Sequence, residues 1–231
     1  IILAIAASAC TRTSIQPVDE QKLRTESDSL VYANRNIDSL QVLLNRFFFF
    51  FNSYGEIAAC RELGRCLRDA SRFGDALDAH KRGLKVAEEC CDTIQIIQAL
   101  NNIGTDFRRM GILEDASTFH YKALTCSDLY SDKTSKTAVK NRVVSLNGIG
   151  NVLLTLGDLE QADSIFRMAL KGEQSLGSAL GQAINYANIG AIMEERGQKD
   201  SALVYYGKSL EFNEKANSKL GISLCRSHFG R

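Results

Sequence analysis

The residues of this 231-residue chain most able to do chemistry are three histidines and seven cysteines, and their spacing argues against it. His80 and His120 occupy matching contexts and His228 a different one; no His-Glu-x-x-His run places two ligands on one helix face. Cys60, Cys66, Cys90, Cys91, Cys126 and Cys225 contain no Cys-x-x-Cys pair of the zinc or redox type, and they read as small apolar packing residues. Glu88-Glu89 and Glu194-Glu195 are neighbours in sequence, so on a helix their side chains diverge by about 100 degrees and form no acid-base dyad. A Gly-rich phosphate loop and a Gly-x-Ser-x-Gly elbow are also absent. The expectation is a non-catalytic chain without metal or cofactor.

The elements that carry these residues are helices. The chain has one Pro and no Trp, with 45% apolar and 24% charged residues. Few breakers and many helix formers predict an all-helical chain from about Asp19 onward, with no strand longer than three residues. A net charge of +1 provides no global field to attract nucleic acid.

A repeat organises the helices. Leu63-Gly64, Ile103-Gly104, Ile149-Gly150, Ile189-Gly190 and Phe229-Gly230 form a series whose glycines are 40, 46, 40 and 40 residues apart. Seven residues after each of the first four glycines stands Ser71, Gly111, Gly157 or Gly197, and twelve after it Ala76, Ala116, Ala162 or Ala202. Twenty residues on comes Leu84, Leu124, Leu170 or Leu210. Each unit therefore reads as two helices with a turn at the small residue. The in-helix Gly, which costs about 1 kcal/mol relative to Ala, marks a close approach that the Ala series is expected to meet. The 46-residue step predicts an insertion near Ser131 to Lys140.

The run from Leu146 through Gly157 and Ala162 to Phe166 and Ala169 resembles the tetratricopeptide repeat, in which Leu-Gly, a turn Gly and Ala-x3-Phe-x2-Ala recur. The period here is 40 rather than about 34, as in long-helix variants similar to kinesin light chain. The resemblance implies a right-handed α-α superhelix, a solenoid of antiparallel helix hairpins. Its expected parts are capping helices over 19–55, then repeats over 56–95, 96–140, 141–181 and 182–218, with a fifth beginning at 219–231. In the cap, Phe47 to Phe51 would point all round a helix, so about three of the five are expected to be buried.

If the first helix of each hairpin lines a groove, the positions about 100 to 140 degrees from Cys60, Leu100, Leu146 and Tyr186 face it. They hold Arg61 and Arg65, Asn101 and Thr105, Asn147 and Asn151, then Ala187 and Ala191. Asn102, Arg68, Arg108, Arg109 and Asn188 lie on neighbouring turns, with Glu194 and Glu195 at the far end. Asn both donates to and accepts from a peptide backbone, and Arg bonds carboxylates. The expected partner is a protein or an extended peptide with an acidic portion toward the first repeats; self-association is a further option.

At the other end of the chain, Ile1 to Ala9 is apolar or small and closes on Ala7-Ser8-Ala9-Cys10. This resembles the lipobox of bacterial lipoproteins, in which the Cys carries the lipid, although Ala7 stands where that family has a larger aliphatic residue. The resemblance implies a signal remnant and tether over 1–18, lipidation at Cys10, and a cell-envelope location on the periplasmic or outer side. Two functions follow: a binding scaffold at the envelope, or the sensory or dimerising half of a longer membrane-linked regulator with a kinase or DNA-binding output.

Overall fold

The computed structural model describes residues 17–132 and 134–229. Cys10 and the tether to α1 lie outside them. The described residues form eleven helices and no strand: α1 (Pro17–Ala33), α2 (Ile37–Phe49), α3 (Ser53–Asp69), α4 (Phe73–Glu89), α5 (Thr93–Arg109), α6 (Leu113–Leu129), α7 (Lys136–Leu156), α8 (Leu159–Ser175), α9 (Ala179–Glu195), α10 (Lys199–Lys215) and α11 (Lys219–Phe229). The fold is all-α and built of helix hairpins. Two compact units divide it, residues 1–119 and 120–231.

The joints follow from the small residues. Ser71, Gly111, Gly157 and Gly197 have φ of 61°, 79°, 80° and 72°, the left-handed conformation that ends a helix. After α3, Ser71 N–H donates to the Arg68 carbonyl and Arg72 N–H to that of Leu67, satisfying two carbonyls the helix leaves open. The same pair recurs after α5, from Gly111 to Arg108 and from Ile112 to Phe107. Helices α3, α5, α8 and α9 are capped at their starts by side chains: Asn52, Asp92, Asp158 and Ser178 accept from the backbone N–H three residues on. The six additional residues of the long step are divided between a longer linker before α7 and an earlier start of α7, whose first turn is capped by Ser135.

In the first unit α1 runs alongside α3 in the same direction. Asn52 donates to Ser27, Arg61 reaches Asp28, and Arg35 lies 3.5 Å from Glu62. Its core joins Val31, Leu40, Leu44 and Phe47 to Cys60, Leu63 and Ala76. In the second unit Phe166, Ile189, Ile192, Met193, Ala202 and Tyr206 pack together.

Two expectations need correction. Ala76, Ala162 and Ala202 are buried, but they are not what meets the glycines. A Cβ on Gly64 would strike the ring of His80, one on Gly150 the ring of Phe166, and one on Gly190 the ring of Tyr206. The notch admits an aromatic ring one helical turn beyond the Ala, and the Ala lets the helices approach far enough for the ring to enter. The phenylalanine run also behaves otherwise than expected. Only Phe47 is buried; Phe48, Phe49, Phe50 and Phe51 are 64, 73, 67 and 80% exposed. The helix ends at Phe49 and Phe51 adopts φ 55°, so the last residues leave the helix and turn away from the core.

Candidate functional site

The predicted groove positions fall into two groups with different surroundings. In the first unit they are largely tied together. Arg61, half-buried, donates to Gln95, Gln98 and Asp28. Arg65 bonds Glu62 and Asp69. Arg68 donates to the carbonyl and Oδ1 of Asn102 and lies 3.2 Å from Asp106. Thr105 donates to the Asn101 carbonyl of its own helix. Asn101 is only 3% exposed, which corrects its expected place on a solvent-facing lining. Arg108 is half-buried without an ion pair among the described residues, and burial, then Arg109 and Arg68, push its pKa below the ordinary arginine value.

In the second unit Asn147 and Asn151 stand one turn apart on α7, both half-buried. Asn147 Oδ1 is a buried acceptor without a hydrogen-bond donor. The corresponding residues of α9 are Ala187 and Ala191, whose short side chains leave the face open. Glu194, expected at the far end, accepts a hydrogen bond from Tyr206 at 2.6 Å. This face can bond a backbone; it has no nucleophile with an attendant base.

His80 and His120 are buried, as their matching contexts suggested, but His80 does more. It is 2% exposed, its Nδ1 lies 2.5 Å from Asp106 Oδ2, and Asp106 is fully buried. Asp106 escaped the sequence reading because a mid-helix Asp followed by Arg108 and Arg109 resembles a solvated charge. The signal was its position: two residues after the notch glycine, where the other repeats carry Cys66, Val152 and Ile192. No group of His, Cys, Asp and Glu among the described residues is placed to hold a metal, and no described helix is long and apolar enough to cross a membrane.

No disulfide joins the six described cysteines. Burial, opposed by Arg82 and reinforced by Glu56, raises Cys60 from 9.0 to about 12. The folded thiol therefore stays protonated where an unfolded one ionises. The stability it confers is present below pH 9.0 and is lost as the pH rises from there to about 12. With a thiol-disulfide reagent at pH 8, exposed Cys91 is expected to react at once and buried Cys60 only on unfolding. Mapping the modified peptides by mass spectrometry checks this, and native labelling of Cys60 at the rate of Cys91 would contradict it.

Residues 142–215 match the family model described as "Tetratricopeptide repeat". A search of curated proteins gives no match. Among solved structures, aspartyl phosphate phosphatase F from Bacillus subtilis is similar with a TM-score of 0.72 at 16% identity, over 90% of this chain and 57% of that one. A Rap protein complexed with Competence and Sporulation Factor gives 0.68 at 16% identity, over 96% and 61%. PlcR of Bacillus thuringiensis, in complex with the peptide PapR7 and DNA, gives 0.70 at 11% identity, over 94% and 77%. At such identities the likeness is one of fold.

Proposed function

We propose that the chain, whose residues 142–215 match the tetratricopeptide repeat model, is a non-catalytic scaffold that binds an extended peptide or a protein segment. The observation that carries this reading is the face of α7, where the half-buried amides of Asn147 and Asn151 stand one turn apart and can both donate to and accept from an extended backbone. Similar folds are seen with a peptide in PlcR and with Competence and Sporulation Factor in a Rap protein, which supports the same class of partner. Within the first unit, Arg108 and Arg109, to which no carboxylate is paired among the described residues, would suit an acidic segment of a partner. The scaffold is held at the bacterial cell envelope by lipid on Cys10, the reading that the Ala7-Ser8-Ala9-Cys10 run supports. A second reading is the sensory half of a longer regulator, for which the similar fold of PlcR, seen with both a peptide and DNA, offers support.

The test selects peptides from a random phage-displayed library on the parent chain and measures their affinity for the Asn147→Ala, Asn151→Ala variant. Loss of two amides, counted as one hydrogen bond each, should weaken binding by about 30- to 150-fold, at roughly 1–1.5 kcal/mol per lost bond. The melting temperature should stay near that of the parent, since neither side chain is fully buried. Selected peptides that bind the variant as tightly as the parent would remove this face from consideration.

A further inference from the structure

Phe48, Phe49, Phe50 and Phe51 are the largest run of exposed apolar residues in the described chain, at 64 to 80% exposure each. Their placement is not an accident of helix phase, because the turn they form is held against a conformational cost. Phe51 adopts φ 55°, a conformation that bulky residues disfavour; the other positive-φ positions are Ser71, Cys91, Asn217 and glycines. Asn52 fixes the following residues by accepting from Gly55 N–H and donating to Ser27 of α1. The anchored ring is Phe47, which packs where a side chain on Gly55 would stand. The four rings beyond it are thus presented on a fixed turn, with the Arg82 guanidinium 5.5 Å from the Phe48 ring centroid.

The position of this turn identifies what covers it. Because α1 runs parallel to α3, with Arg24 stacked 3.9 Å from the ring centroid of Tyr54, the start of α1 overhangs the start of α3. The turn from α2 into α3 lies at that same end. Six residues separate Cys10 from Pro17, a tether that extends to at most about 25 Å at roughly 3.3–3.6 Å per residue. A lipid on Cys10 would therefore hold the phenylalanine turn within reach of the bilayer that receives the lipid. Aromatic side chains projecting from a fixed turn suit the boundary between headgroups and acyl chains, and a second membrane contact stabilises a lipid anchor. We infer that Phe48 to Phe51 form a membrane-contacting tip that seats the first unit on the bilayer surface. The location of that bilayer rests on the reading of Cys10 as the lipidated residue.

The absence of Trp from the chain allows a reporter without background. Phe49→Trp and Val42→Trp are made separately in the full chain carrying Cys10→Ser, so that contact is measured without the lipid. Val42 is 68% exposed and lies two helical turns up α2 from the tip. With vesicles of phosphatidylethanolamine and phosphatidylglycerol bearing brominated acyl chains, emission of the Phe49→Trp reporter should shift to the blue and be quenched several-fold. The Val42→Trp reporter should stay near its emission in buffer. Changing Phe48, Phe50 and Phe51 to Ser should abolish the shift while circular dichroism remains that of the parent. An unquenched Phe49→Trp reporter, equal quenching at both positions, or a vesicle-independent shift accompanied by dimer mass in light scattering would each overturn the inference. The readout needs neither lipidation nor peptide capture, so a failure of the proposed function leaves it interpretable.

Discussion

Phe166→Ala is expected to lower the unfolding free energy of the second unit by about 3–5 kcal/mol, the range for deleting a fully buried aromatic ring. Phe166 is 0% exposed and fills the notch left by Gly150, where an added Cβ would come within 2.7 to 2.9 Å of the ring. The reciprocal change, Gly150→Ala, gains up to about 1 kcal/mol of helix propensity and loses about 1–3 kcal/mol to overpacking. Its net effect should be destabilising, and Phe166→Leu should be less damaging beside Ala at position 150 than beside Gly. Urea denaturation of the four combinations forms a double-mutant cycle. Additive effects would mean that ring and notch do not depend on each other.

The second large effect concerns the first unit. Asp106 is fully buried between His80 and Arg68, the latter 11% exposed at its side chain. Burial lowers the Arg68 pKa and Asp106 opposes that shift, so the carboxylate holds a desolvated charge in place. Asp106→Ala should cost about 3–5 kcal/mol, since it strands a buried partner. The pair His80→Phe with Asp106→Val should cost less, because it removes the buried imidazole together with its carboxylate and installs the residue types that Phe166 and Val152 supply at corresponding positions. Arg68 retains Asn102 in that variant. Thermal unfolding followed by circular dichroism distinguishes the cases, and a double variant as unstable as Asp106→Ala would show that the polar network has no apolar substitute.

The repeat was legible because it is periodic: a glycine, a turn residue and an alanine at fixed offsets can be aligned without knowing what touches what. Contacts between periods were harder to read. The offset from Gly64 to His80 separates residues of different type, and only the structure shows that His80, Phe166 and Tyr206 solve one steric problem. A second notch series, Gly55, Gly181 and Gly221, lies nine residues before the first and receives Phe47, Glu173 and Asn213. It was visible in the spacing, but Gln95 and Asn141 interrupt it. The groove was legible as a set of positions and not as a set of available groups. Whether Arg61 is free depends on Gln95, Gln98 and Asp28, which no spacing rule connects to it. For the phenylalanines, the helical periodicity was applied beyond the residue where the helix ends.

The His80 and Asp106 pairing also bears on which hairpins can be exchanged. A ring such as Phe166 against Ile192 accepts any apolar neighbour of suitable volume, so a hairpin presenting one could be shuffled along a repeat array at modest cost. α4 presents His80 instead, and the hairpin that follows must bring a carboxylate at the place of Asp106 or leave a polar ring buried without its partner. The joint between α4 and α5 thereby works as a key that fixes the order of its hairpins, and duplication or recombination of repeats would be tolerated in the second unit before the first.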